Sequence, residues 1–165
     1  MDGNEVKPRA LLVFGAPCSG KTVFAEKFAR KYGLAYYNLE EITKENHFTH
    51  QNALTILSLI AKTKKDLIIE GCIDSEKERV EIRNVLLKFG YAPSLIWLQT
   101  DLPTLRLRLK DRYRSVTKAK EIYNYSLKKL ENPTDFEKPI ILSGKHTFET
   151  QSKHVLSGLA NATER

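Results

Sequence analysis

Ala10-Leu11-Leu12-Val13-Phe14-Gly15-Ala16-Pro17-Cys18-Ser19-Gly20-Lys21-Thr22 is the stretch that decides the fold. Its five apolar residues read as a buried strand. Gly15 to Thr22 then complete a G-x-x-x-x-G-K-S/T phosphate-binding loop, and an amphipathic helical pattern opens at Lys21. In a strand–loop–helix context the pattern has a mechanism. The glycines let backbone N–H groups curl around phosphate oxygens, and the helix start adds the positive end of its dipole. Lys21 can reach the β- and γ-phosphates, and the Thr22 hydroxyl can ligate Mg²⁺. Gly15, Ala16, Pro17, Cys18, Ser19, Gly20, Lys21 and Thr22 are therefore the expected nucleotide-binding residues, for a nucleoside triphosphate with Mg²⁺.

Four further apolar runs read as strands: Leu34–Tyr37, Leu67–Ile69, Leu95–Leu98 and Pro139–Leu142. Helical patterns separate them. Lys21–Tyr32 carries Phe24, Ala25, Phe28 and Ala29 on one face and stops at Gly33. Thr49–Lys62 is rich in Leu and Ile, and Ser75–Phe89 opens with a Ser75/Glu78 capping box. Asp101 and Pro103 start a helix that runs to about Arg112, Lys118–Leu130 reads as a polar helix, and Thr147–Leu159 as the last one. Strands that alternate with helices and are apolar almost throughout predict an α/β three-layer sandwich around a five-stranded parallel sheet. Ligands of such sheets sit beyond the carboxyl ends of the strands. The chemistry is therefore expected just after Phe14, Tyr37, Ile69, Leu98 and Leu142.

The 165 residues fit one domain, and 41% hydrophobic with 28% charged residues fits an ordinary globular chain. No run reaches membrane-spanning length, and the polar Met1–Arg9 segment lacks a signal-peptide core, so cytoplasmic residence is expected. Cys18 and Cys72 read as free packing thiols, and no Cys/His set has zinc-ligand spacing. The net charge of +7 is concentrated between Arg106 and Lys129, where nine basic residues face only Asp111 and Glu121. Such a segment suits a solvated face, a nucleic-acid surface or a clamp over a polyphosphate.

Beyond the loop, Glu70 ends an apolar strand, where its carboxylate can hold Mg²⁺ beside Thr22. Arg108 and Arg112 lie one helical turn apart on one face and suit the charge of a transferring phosphoryl group. After Tyr37, Glu40 can accept a proton from a hydroxyl acceptor or orient it; Glu40 and Glu41 can equally be the first acids of the next segment.

These residues resemble the nucleotide-kinase-like branch of P-loop phosphotransferases, over most of the chain, and most of all small kinases of the polynucleotide 5′-hydroxyl kinase and zeta-toxin type. The resemblance implies that Glu40 and Glu70 are the acids ending the second and third strands. It implies that Arg79 on the next helix faces the site and binds the acceptor. It also implies that Leu105-Arg106-Leu107-Arg108-Leu109-Lys110-Asp111-Arg112 starts a helical lid at about 113–138, and that Gly144 and Lys145, within Ser143-Gly144-Lys145-His146, border adenine. The acid after the second strand is usually Asp in that group, where this chain has Glu40, and Thr43 stands near the place of its arginine partner.

The leading expectation is thus a kinase that moves the γ-phosphoryl of ATP to a hydroxyl or phosphate acceptor, with Lys21, Arg108, Arg112 and Glu40 as catalytic residues. One alternative is a nucleotide-dependent switch. A guanine-reading sequence matches Thr63-Lys64-Lys65-Asp66 in letters but lies before a strand, not after one. Another is nucleic-acid binding through the basic segment, with Tyr113, Tyr123 and Tyr125 stacking on bases.

Overall fold

The computed structural model describes residues 6–163. Strand β1 (Arg9–Gly15) leads through the loop into α1 (Lys21–Tyr32). There follow β2 (Ala35–Asn38), α2 (Leu39–Glu45), α3 (His50–Ala61), β3 (Leu67–Glu70) and α4 (Glu76–Lys88). The chain ends with β4 (Ala92–Gln99), α5 (Leu102–Tyr113), α6 (Val116–Lys129), β5 (Ile140–Ser143) and α7 (Phe148–Thr163). The five strands form one sheet in the order β2-β3-β1-β4-β5, and every pairing is parallel.

Alternation along β1 builds both layers of the core. Ala10, Leu12 and Phe14 join Leu57, Ile82, Leu86 and Tyr91 on the face covered by α3 and α4. Leu11 and Val13 join Phe24, Phe28, Val155 and Leu159 under α1 and α7. A parallel sheet covered on both faces is what the continuous apolar strands imply.

Differences from the sequence reading are local. β4 begins three residues earlier than expected, at Ala92. The extension pairs with β1 through Arg9↔Ala92 and Ala10↔Pro93, whereas β5 pairs with β4 only from Ile96 onward. Pro93 therefore sits where one flank of the strand has no partner, and its missing N–H breaks no ladder bond there. Helix α2 has no counterpart among the expected helices. It is 7 residues long and is started by Asn38, whose side chain accepts from the Glu41 N–H. The Ser75/Glu78 capping box forms as expected.

Candidate functional site

Most described helices satisfy their first amides with a side chain: Asn38, Thr49, Ser75, Asp101 and Ser115 cap α2 to α6. Helix α1 does not. Its N-cap is Gly20, at φ 102°, with no side-chain cap and no acid in the first turn. The first helical bond runs from Phe24 N–H to the Gly20 carbonyl. The amides ahead of it face outward with the positive end of the helix dipole. A site of this kind accepts an anion. Cys18 adopts a left-handed φ of 61° within the loop, and Ser19 is fully buried with its hydroxyl unpartnered.

The carboxyl ends of β3 and β2 supply oxygen donors beside that amide cluster. Thr22 Oγ1 donates to Glu70 Oε1 at 2.6 Å, and Tyr36 OH donates to Glu70 Oε2 at 3.1 Å. Burial raises the Glu70 carboxyl above its ordinary value, opposed by the Thr22 hydrogen bond and the Lys21 charge. Burial, then the charge and hydrogen bond of Glu70, push the Tyr36 hydroxyl up as well. A hydroxyl and a buried carboxylate in contact form a hard-oxygen pair of the kind Mg²⁺ uses alongside phosphate oxygens and waters. The residues present thus fit Mg²⁺. Lys21 takes part in no ion pair among the described residues, and its charge acts on both Glu70 and Asp74.

These groups open into a cleft of about 1070 Å³ that Lys21, Glu40, Glu70, Asp74, Arg108 and Arg112 line together with Gly144. A single drug-sized ligand needs roughly 300–1,000 Å³, so the space suits a nucleotide with a second molecule beside it. Ile122, Ser126 and Leu130, four residues apart along and just past α6, line its outer wall.

The two arginines of α5 differ. Arg108 Nη1 donates to the Cys18 carbonyl at 3.2 Å, and Nη2 donates to the Gly144 carbonyl at 3.0 Å. It therefore ties the phosphate loop to the turn after β5. Arg112 lines the same cleft without such bonds among the described residues, its guanidinium 5.7 Å from the Tyr113 ring centroid. Gly144 sits in close contact: a Cβ there would overlap Thr100 Oγ1 and the Ser19 carbonyl. Lys145 points elsewhere, to Asp101 Oδ2 at 2.9 Å, and with Thr104 it lowers the Asp101 carboxyl to about 2. It is the Gly144 backbone, not the Lys145 side chain, that the structure sets against the loop.

Arg79 departs from the sequence expectation. It is buried, and it is not among the residues lining the cleft. Its Nε and Nη2 donate to the two carboxylate oxygens of Glu137 at 2.6 and 3.1 Å, and Nη1 donates to the Asp74 and Glu131 carbonyls at 3.0 Å each. The guanidinium lies 4.9 Å from the Phe14 ring centroid. Arg79 thus anchors the segment after α6 to the turn after β3. The signal that decides this, Glu137, stands 58 residues away.

Glu40 lines the cleft from the first turn of α2, where it pairs with Lys44. Its backbone packs against Gly71, whose φ of 83° and lack of Cβ permit the approach. Asp74, which no motif marked, lines the cleft too. Burial, then the Glu40 charge, raises its carboxyl above the ordinary value. The Thr63–Asp66 stretch lies at the amino ends of the strands, away from the cleft, where Asp66 accepts from the Arg9 N–H at 2.7 Å. Two of the tyrosines considered for base stacking have a lysine against the ring: Lys118 at 5.8 Å from the Tyr113 centroid and Lys129 at 4.8 Å from that of Tyr125. No described helix is long and apolar enough to cross a membrane.

The family described as an AAA domain matches residues 11–132. No curated protein matches the chain. Among solved structures, an unliganded sugar kinase from Janibacter sp. HTCC2649 is similar at 19% identity and a TM-score of 0.70, with 93% of this chain and 95% of that one covered. A gluconokinase from Sinorhizobium meliloti 1021 is similar at 16% identity and 0.71, covering 96% and 95%. The APS kinase of Mycobacterium tuberculosis, in complex with AMPPNP and APS, is similar at 15% identity and 0.61, covering 93% and 98%. At these identities the likeness establishes a P-loop kinase-like fold.

Proposed function

The chain belongs to the AAA-domain family, and from that premise we propose that it is an ATP-dependent, Mg²⁺-requiring kinase that transfers the γ-phosphoryl group to a hydroxyl of a small molecule. One observation carries the reading. The uncapped start of α1 adjoins the Thr22–Glu70 pair, and both open into a cleft large enough for a donor and an acceptor. A switch protein needs only the first two features. The similarity to sugar, gluconate and APS kinases supports the same choice.

The triphosphate lies along the loop amides and Lys21. Arg108 keeps the loop and the Gly144 turn together around the base end, and Arg112 faces the transferring group. Thr22 Oγ1 and Glu70 would hold Mg²⁺, which would supply neutralisation of the phosphate charge. The acceptor oxygen forms a bond to the γ-phosphorus as the bond to the β–γ bridging oxygen breaks. ADP leaves with the electron pair of that bond, and the hydroxyl proton passes to the Glu40 carboxylate and then to water. Positioning and charge neutralisation supply most of the acceleration in such transfers. The segment at 113–138, built mainly on α6, acts as the lid that keeps water from the γ-phosphate. The whole chain acts as one P-loop kinase unit, with cytoplasmic residence.

Radiolabelled γ-phosphoryl transfer from ATP to a pooled set of hydroxyl compounds tests the reading. Labelled acceptor is expected with Mg²⁺, and none with Lys21→Ala. Nucleotide binding with no labelled acceptor in any pool would assign the protein to the switch class.

A further inference from the structure

The strand order divides the cleft by charge. β2 and β3 lie at one side of β1, and β4 and β5 at the other. Arg108 and the Gly144 turn belong to the β4–β5 side, where the nucleotide base would sit. The β2–β3 side carries carboxylates. Glu40, Glu41 and Glu45 line it from α2, Glu26 from α1, and Glu70 and Asp74 from the end of β3 and the turn after it. Against these six carboxylates stand Lys21, whose charge acts on Glu70 and Asp74, with Lys27 and Lys44, and Lys44 is already paired with Glu40. Lys129 of α6 acts on Asp74 from a distance but does not line the cleft.

The buried arginine of α4 does not offset this charge, since it does not line the cleft. Arg79 sends Nε and Nη2 to Glu137 and Nη1 to the carbonyls of Ile73, Asp74 and Glu131. Asp74, by contrast, uses only its carbonyl in hydrogen bonds among the described residues, from Arg79 and from the Glu131 N–H. Its carboxylate is left to face the cleft with Glu40 as its strongest charged neighbour. Like charges gathered in a partly buried lobe repel an incoming anion and attract a cation. With Glu70 engaged at Thr22 and Glu40 paired with Lys44, Asp74 is the one of these three whose carboxylate has no hydrogen-bond or ion-pair partner among the described residues.

Resting on the kinase reading, we propose that the acceptor is a hydroxyl compound bearing an ammonium group, an amino alcohol or amino sugar, recognised by Asp74 within this acidic lobe. Carboxylate acceptors and 5′-hydroxyl nucleic acid are disfavoured by the same charges. The ammonium pairs with Asp74 while a hydroxyl of the same molecule points to the γ-phosphate.

Calorimetry on the full chain saturated with Mg²⁺ and AMPPNP provides the test. Ethanolamine, glucosamine and kanamycin are titrated beside glycolate, gluconate and a 5′-hydroxyl oligonucleotide. At least one amine is expected to bind about tenfold or more tightly than every anion, the scale of one charge-assisted hydrogen bond. The isosteric Asp74→Asn variant should lose about that factor for the amine while its AMPPNP heat persists. Anions binding as tightly as the amines, no amine binding at all, or an unchanged amine affinity in Asp74→Asn would each overturn the proposal and leave the kinase reading standing. Absence of AMPPNP heat in the wild-type protein would remove both.

Discussion

Replacing Arg79 by Met separates a structural role from an acceptor-binding one. Met keeps an apolar stem against Phe14 and deletes the charged head. The head is 2% exposed and its partner Glu137 14% exposed, so the pair is nearly dry. Removing one member leaves Glu137 without compensation and frees the Asp74 and Glu131 carbonyls of a donor. Breaking a buried pair in this way costs about 3–5 kcal/mol. The remaining exposure of Glu137 favours the lower end, about 3 kcal/mol, or roughly 10 °C in melting temperature for a chain of this size. Burial raises the Glu137 carboxyl, but its bonds from Arg79 and Thr134 outweigh that and hold it below its ordinary value. A depressed folded value stabilises above the unfolded one, 4.5, and the benefit fades as pH falls through the folded value. The gap between wild type and variant should therefore narrow on acidification. Adding Glu137→Gln should restore part of the loss, because the uncompensated charge is gone. Urea and thermal unfolding measure all of this. An Arg79→Met protein that melts within about 1 °C of wild type, but with a raised acceptor KM, would refute the anchoring role and return Arg79 to the cleft.

Other outcomes follow from the same geometry. Glu70→Gln should raise the stability of the unliganded protein at pH 7. A raised folded value gives stability that is full below the unfolded pKa and lost as pH climbs through the folded one, a loss that the neutral amide does not suffer. The same variant should lose Mg²⁺-dependent phosphoryl transfer; thermal melts and activity assays check the two together. Arg108→Ala should raise the KM for ATP, since it loosens the loop, while Arg112→Ala should lower kcat by about tenfold or more with KM little changed; steady-state kinetics separate them. Gly144→Ala should weaken ATP binding and cost about 1–3 kcal/mol of stability, because the added methyl meets Thr100 and the Ser19 carbonyl.

The phosphate loop, the five strands and most helices were legible because each rests on local rules. An apolar run, a capping box and a glycine stop sit within a few residues of what they determine. Glu70 was legible for the same reason, as the acid ending an apolar strand. Helix α2 was not, since seven residues give too few turns for a periodic pattern and its start is set by Asn38. Arg79 could be placed on a helix, but its direction is set by Glu137 and two carbonyls of the 131–132 segment. Asp74 belongs to no motif. Its place in the cleft comes from the turn that Gly71 and the Arg79 network shape, and no spacing in the sequence encodes that.

The most direct test of the central claim is the affinity for AMPPNP measured by calorimetry with and without Mg²⁺, in wild type and in Lys21→Ala. Saturable binding is predicted, strengthened by Mg²⁺ and lost or greatly weakened in Lys21→Ala. A folded wild-type protein that shows no heat, or a Lys21→Ala protein that binds as well as wild type, would contradict the account.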